Sequence, residues 1–183
     1  MPAGLSDPVA PAPGAALPAI DAESFRQGMA WLAGAVNIVT AAGVDGPAGF
    51  TATAVCSVSA EPPILLVCLN TGSSAAPAFA RAEVLCVNTL AAGQADLGQH
   101  FGAKVPMASR FARGQWRAGD TGAPVLDGAL VAFEARIKEV QRMGTHDVMF
   151  CEVVVVHQGA AEEGPSVYWN RCYHALTGSD APG

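Results

Sequence analysis

Between Val131 and Lys138 the chain alternates strictly, with Val131, Phe133, Ala135 and Ile137 on one parity and Ala132, Glu134, Arg136 and Lys138 on the other. A period of two is that of a β-strand, so the stretch should expose one face and bury the other. Shorter runs on both sides carry the same kind of signal. Val36–Thr40, Ile64–Leu69, Val84–Leu90, Val148–Val156 and Ser166–Tyr168 are apolar or alternating, and Gly, Pro, Asn and Asp punctuate them. Helical periodicity is sparse by comparison. It covers Asp21–Ala35, where Phe25, Met29 and Leu32 recur and Asp21 or Ser24 can cap, a short segment from Ser74 to Arg81, and Gln94–Phe101. Six or seven strands in hairpin-like succession with so few helices predict a mainly β fold, a closed antiparallel barrel with short peripheral helices. A Rossmann fold is disfavoured, because no G-x-G-x-x-G follows a strand.

With 183 residues the chain suits one domain, expected over 20–176, between Pro-, Ala- and Gly-rich tails at 1–19 and 177–183 that are expected to be disordered. A hydrophobic fraction of 51% with only 14% charged residues implies extensive packing, including against a second subunit, so an oligomer is expected. The net charge of -6 and the scattered cations argue against a nucleic-acid surface. No run approaches the roughly 20 apolar residues a membrane span needs. Five cysteines at 56, 68, 86, 151 and 172 follow no metal-site spacing and are expected as buried thiols in the cytoplasm.

The stretch Gly49–Asn70 is the most informative for function. On an extended strand Thr51, Thr53, Ser57 and Ser59 share one face, and Ala52, Ala54, Cys56 and Val58 the other. Such a face is either the solvated side of a sheet or a short-armed, uncharged bed that lets a flat ligand approach the backbone. Asn70-Thr71-Gly72-Ser73-Ser74 then leads into a helix, an arrangement suited to plain capping or to holding a phosphate. Lys104, Arg110, Arg113 and Arg117 gather in one segment with Phe101, Phe111 and Trp116, as a solvated loop or a counter-charge for that phosphate. Of the four histidines, His146 stands in the bend Met143-Gly144-Thr145-His146-Asp147 and is the best placed to meet a ligand at a barrel rim. No nucleophile, zinc or P-loop motif occurs, so neither a catalytic side chain nor a metal is expected.

Taken together, G-F-T-A-T-A-V-C-S-V-S, P-P-I-L-L-V-C-L-N, the Asn-x-x-Ser-Ser loop, G-T-H-D and the terminal Y-x-N-R-x-Y-H resemble the short-chain flavin reductase family, over roughly Phe25 to Leu176. The resemblance implies an FMN-binding split β-barrel, antiparallel and Greek-key-like, with flavin (FMN or FAD) and NADH or NADPH as cofactors. It places the flavin along Thr51, Ala52, Thr53 and Ala54, with Ser57 and Ser59 further on. Asn70, Ser73 and Ser74 take its phosphate, and Arg110 and Phe111 match the family's Arg-Phe pair. His146, Tyr168, Arg171 and Tyr173 fall where the nicotinamide nucleotide docks. The chain departs from the family at Thr53-Ala54, where many relatives carry Asn-Ser, at Cys56, and in the loop after Asn70, which lacks a frequent basic residue. The implied activity is hydride transfer from NAD(P)H to flavin, supplying reduced flavin to a partner monooxygenase. The alternatives on the same fold are a flavin-dependent corrin-cobalt reductase and a non-catalytic flavin-binding protein.

Overall fold

The structure, a computed structural model, describes residues 18–159 and 164–176. The tail expected over 1–19 therefore lies outside the described residues except for its last two, and the one over 177–183 lies outside entirely. Seven strands form the main sheet: β2 (Asn37–Gly43), β3 (Gly46–Ala52), β4 (Val55–Ala60), β5 (Pro63–Asn70), β6 (Val84–Thr89), β9 (Val131–Met143) and β10 (His146–Gln158). Their spatial order is β3-β2-β6-β9-β10-β5-β4, antiparallel throughout, as the split barrel requires. Short strands complete the chain. β1 (Gly34–Ala35) pairs with β11 (Ser166–Trp169), which pairs with β12 (Cys172–Ala175), and β7 (Trp116–Ala118) pairs with β8 (Pro124–Leu126). The helices are α1 (Ala22–Ala30), α2 (Ala76–Phe79), α3 (Ala95–Gly102) and α4 (Met107–Phe111).

The two edge strands of the sheet, β3 and β4, are consecutive in sequence and separated only by Thr53 and Ala54. There the Val55 amide donates to Thr53 O and the Cys68 amide to Ala54 O, each at 3.0 Å. The chain thus leaves one edge and joins the other, which curls the sheet into its barrel. The single strand expected over Thr51–Ser59 is accordingly two strands, and a register shift between Ser57 and Ser59 breaks the parity further. Inside the curl lie Val39, Phe50, Val67, Leu69, Leu85, Val87 and Met149, all buried, with Phe50 meeting Phe79 of α2 edge-on at 5.1 Å. Ile38 faces the other way, into a second cluster with Val36, Leu90 and Phe101 beneath α3. β2 is therefore buried on both sides, which explains its continuous apolar run.

Other boundaries moved for local reasons. α1 is capped by Asp21, whose carboxylate accepts the amides of Glu23 and Ser24, but it ends at Ala30 because Gly34 and Ala35 pair with β11. Ser74 does not cap α2; Ala75 occupies that position without a side-chain bond. The bend at 143–147 is a two-residue turn in which Gly144 adopts φ +56°, and His146 is the first residue of β10. Glu134, expected on the solvated face of β9, is fully buried instead. The loop after β7 folds over it, and its oxygens receive the amides of Asp120 and Thr121, the Thr121 hydroxyl and His157 Nε2. Of the five cysteines, only Cys86 and Cys151 are buried; Cys68 is half-buried and Cys56 and Cys172 are exposed.

Candidate functional site

A groove of about 770 Å³ opens where β3 passes into β4. Its floor is Thr51, Ala52, Thr53 and Ala54, with Cys68, Leu69 and Asn70 of β5 alongside. Small side chains here expose the backbone, and β3 pairs only with β2 at this edge, so alternate amide groups point outward. The Thr51 hydroxyl is not free, since it donates to Gly98 O at 2.6 Å and ties the strand to α3.

One end of the groove is polar. Asn70 Oδ1 accepts the Gly72 amide at 2.8 Å and Ser73 Oγ accepts the Ala75 amide at 3.2 Å, which shapes the loop into a compact turn. Ser74 Oγ accepts from Arg110 Nη2 at 3.0 Å. Both serine hydroxyls keep a hydrogen to donate. Arg110 itself is buried. Its Nη1 donates to Gly49 O at 2.7 Å and its Nη2 also to Ala103 O at 2.9 Å, while Nε has no partner among the described residues. Burial lowers its pKa, and among the described residues no carboxylate lines the groove to offset its charge. Gly49 lets these elements approach closely, since a Cβ there would come within 3.0 Å of Phe101 and 3.2 Å of Phe111 and push both rings back.

His146 stands opposite Asn70 in the β10–β5 register. The Thr71 amide and hydroxyl both donate to Thr145 O, and Thr145 Oγ1 lies 3.0 Å from His146 Nδ1, so the turn, the loop and the imidazole are tied together. A second depression of about 700 Å³ adjoins the groove and shares Thr51, Thr53, Gly102 and Ala103 with it. It holds Tyr168, Arg171 and Tyr173, the rings of the two tyrosines meeting edge-on at 5.2 Å. Burial, and then the neighbouring Tyr168, raise the Tyr173 pKa. Arg171 follows Asn170 in a turn where both have positive φ.

The residues named from sequence thus separate into groups. Thr51–Ala54, Asn70, Ser73, Ser74, Arg110 and His146 line the groove together. Tyr168, Arg171 and Tyr173 line the adjoining depression without His146. Ser57 and Ser59 face a different pocket with Leu65 and Phe133, because the break at Thr53–Ala54 and the register shift turn them away. Phe111 packs on Phe101 and Trp116 and holds α4 in place instead of lining the groove. The basic cluster divides too. Lys104 and Arg110 reach the groove, Arg117 pairs with Asp127 at 3.5 Å, and Arg113 borders a small cleft beside Gln94. Gln99, Gly102 and Ala103 were invisible as site residues, for nothing in their types marks them; α3 brings them there.

Away from the groove, Asp120, Glu134 and His157 bring ligand-type atoms within 4.8 Å of one another. Both Glu134 oxygens are already saturated by four donors, so the trio is a clasp on the loop after β7. Burial alone would raise the Glu134 pKa, but the bonds from His157, Thr121 and the two amides outweigh it and hold the carboxyl at about 2.

The match to known proteins fits this geometry. Residues 29–177 match the family model described as flavin reductase like domain. The FMN reductase (NADH) RutF of Ancylobacter novellus is 54% identical over 162 residues, 88% of this chain and 89% of that protein. The Streptomyces globisporus C-1027 NADH:FAD oxidoreductase SgcE6, solved with NAD and FAD fragments, is 25% identical with a TM-score of 0.80, covering 88% of this chain and 96% of that one. BorF, the flavin reductase component of a bacterial two-component tryptophan halogenase, is 27% identical with a TM-score of 0.79, covering 86% and 99%. A seven-stranded antiparallel sheet whose two edges are joined through Thr53–Ala54, a groove with a polar, cationic end, and a family match over nearly all the described chain lead to one assignment: the chain belongs to the flavin reductase-like family.

Proposed function

We propose that the chain is an NADH:flavin oxidoreductase that takes FMN in the groove and delivers it, reduced, to a separate oxygenase. The single observation that carries this reading is the groove itself. A backbone-exposing floor runs from Thr51 to Ala54 toward a pole of two serine hydroxyls and two cations, with no carboxylate among the described residues lining it. That composition fits a flat ring with a phosphorylated tail. Flavin, when bound, supplies the two-electron acceptor for the hydride of the nicotinamide.

The chain's own part is positional. The Thr51–Ala54 backbone presents amide groups to the ring and meets negative charge that gathers there. The serine loop, held against β3 by Arg110, fixes the tail, and the open side of the groove leaves room for a second ring to stack at about 3 to 3.5 Å. His146 stands at the rim on that open side, and Tyr168, Arg171 and Tyr173 extend the surface through the shared residues Thr51 and Thr53. No side chain is needed as acid or base.

The partner role is supported by the likeness to BorF, itself one component of a two-component halogenase. A homodimer is supported by α1, which has no buried residue, and by Phe25 and Leu32, which are 56% and 66% exposed. The single domain of 20–176 and a cytoplasmic setting complete the proposal; the latter is favoured by five unpaired cysteines, and no described helix is long and apolar enough to cross a membrane.

Purified protein with FMN and NADH is expected to bleach the NADH absorbance at 340 nm. Flavin binding without NADH oxidation would leave only a flavin-binding protein. His146→Ala is expected to raise KM for NADH roughly tenfold and that for FMN much less, a loss of about one charge-assisted or stacking contact. An equal rise for both substrates would assign the imidazole to the flavin, in keeping with its place beside Asn70.

A further inference from the structure

We propose that Cys56 and Cys68, neighbours on the outer face of β4 and β5, form a two-thiolate site for a soft monovalent cation of the Cu(I) type, and that its occupancy closes one end of the groove floor. The ion site stands on the thiols alone; its effect on the groove rests on the proposed flavin site.

The pairing of the strands puts the two thiols together. Val55 stands opposite Val67 and Cys56 opposite Leu66, and the Cys68 amide donates to Ala54 O at 3.0 Å, which carries the ladder one step further. Residues opposite one another in a ladder share a face and alternate residues return to it, so Ala54, Cys56, Leu66 and Cys68 lie on one face while Leu65 and Val67 are buried in the core on the other. Cys56 and Cys68 are diagonal neighbours there. Cys68 feels that proximity: burial, and then the neighbouring Cys56, raise its pKa. No metal-site spacing announces the pair in the sequence, because the β4–β5 hairpin assembles it.

The geometry selects the ligand. Diagonal positions place Cα atoms roughly 7–8 Å apart, too far for a disulfide without a backbone shift. A linear sulfur–metal–sulfur bridge with bonds of about 2.3 Å sets the sulfurs roughly 4.6 Å apart, a separation the two side chains reach by leaning across the diagonal. Two thiolates in line suit Cu(I), whereas Zn²⁺ takes four ligands. Among the described residues, the one cluster of three His, Cys, Asp or Glu ligand atoms is Asp120, Glu134 and His157, so no third such group completes a zinc set at this pair. The surroundings are soft as well. Cys56 borders a cleft of about 780 Å³ between α1 and β4, whose walls include Phe25, Leu32, Leu66 and the thioether of Met29.

Binding exchanges protons for metal: one Cu(I) and two thiols give a bis-thiolate complex and two protons, with no change of oxidation state. Cys68 lines the groove and bonds to Ala54 O, so a bound ion stands beside the floor where β3 passes into β4 and takes space a flat ligand needs. The other cysteines lack this arrangement. Cys86 and Cys151 are enclosed in the core, and Cys172 is the one cysteine lining the adjoining depression.

The reduced protein is titrated without oxygen against Cu(I) held by bathocuproine disulfonate, and transfer is read from the loss of the chelator complex's colour. The wild type is expected to take up one Cu(I) per chain. Cys56→Thr and Cys68→Ser should each lose roughly a hundredfold in affinity and Cys172→Ser none, and Zn²⁺ should bind the wild type roughly a hundredfold more weakly than Cu(I) does. Melting curves run alongside establish that each variant is folded. Tight Cu(I) binding that survives in a folded Cys56→Thr or Cys68→Ser would overturn the site, as would its loss in Cys172→Ser. FMN binding is then followed by flavin fluorescence with and without Cu(I). Copper is expected to weaken FMN roughly tenfold in the wild type and less than about twofold in Cys56→Thr. A copper-loaded wild type that binds FMN unchanged would overturn the closing of the groove, and a protein that binds copper but no FMN would sink the flavin reading and spare the thiol pair.

Discussion

Arg110→Ala is expected to lose about 3 kcal/mol of stability and most of its FMN affinity together. The side chain is buried and its guanidinium joins three parts of the site: Gly49 O on β3, Ala103 O after α3 and Ser74 Oγ in the loop. Truncation strands two carbonyls and a hydroxyl in a place water reaches poorly, each stranded group costing roughly 1–3 kcal/mol, and relaxation recovers part of that. At this chain length the loss corresponds to a fall in melting temperature of roughly 6–12 °C. Arg110→Lys should not rescue it, because a single ammonium cannot reproduce the planar fork that meets three acceptors at once. Thermal denaturation with and without FMN checks both halves of the expectation. A variant that melts like the wild type would show that the loop and β3 are held together by other means.

Glu134→Ala is expected to be at least as damaging, by roughly 3–5 kcal/mol, although it lies outside the groove. Four donors converge on this buried carboxylate, and its removal leaves the amides of Asp120 and Thr121, the Thr121 hydroxyl and His157 unpaired around a cavity. The loop they hold leads to β8, where Pro124 O accepts from Thr40 and the Leu126 amide donates to Asn88 Oδ1. Loosening it frees β7 and with it Trp116, which packs on the Phe101 and Phe111 rings that border Gly49. Glu134→Gln should fail as well, since an amide N–H would point at groups that already donate.

The same carboxylate sets an acid limit. Its pKa is about 2 in the fold against 4.5 for the free side chain. A lowered carboxyl stabilises the fold fully above the unfolded value and loses that contribution as pH falls toward the folded one. Glu134 thus contributes about 3 kcal/mol that should disappear between pH 4.5 and about 2. Acid unfolding followed by tryptophan fluorescence should be steep across this window in the wild type and shallower in Glu134→Gln. An identical acid profile in both would show that the clasp does not carry the pH dependence.

Much of the lining of the candidate groove was legible in the chain because its cues are local. A Gly-Phe-Thr-Ala strand, an Asn-x-x-Ser-Ser loop and a Gly-Thr-His bend each specify their own backbone, and order along the chain linked them. The failures share a cause. Ser57 and Ser59 were grouped with Thr51 and Thr53 by parity, but parity holds only while a strand is unbroken, and this one changes sheet edge at Thr53–Ala54. Phe111, matched to the family's Arg-Phe pair, packs among the aromatic rings of Phe101 and Trp116 and does not line the groove. Glu134 alternated like a surface residue, since no local pattern reveals that a loop thirteen residues upstream will cover it.

What the sequence determined by itself is the strand-rich architecture, the family and the polar loop after β5, all properties of short windows whose spacing and residue types dictate backbone shape. What only the tertiary structure decided is which charges serve the groove. Of four clustered cations, Arg110 is buried as a staple, Lys104 is exposed at the rim, and Arg113 and Arg117 turn elsewhere. Those fates depend on where α3, α4 and β3 come together. Burial and partners are set by elements far apart in the chain, so residue type alone could not assign them.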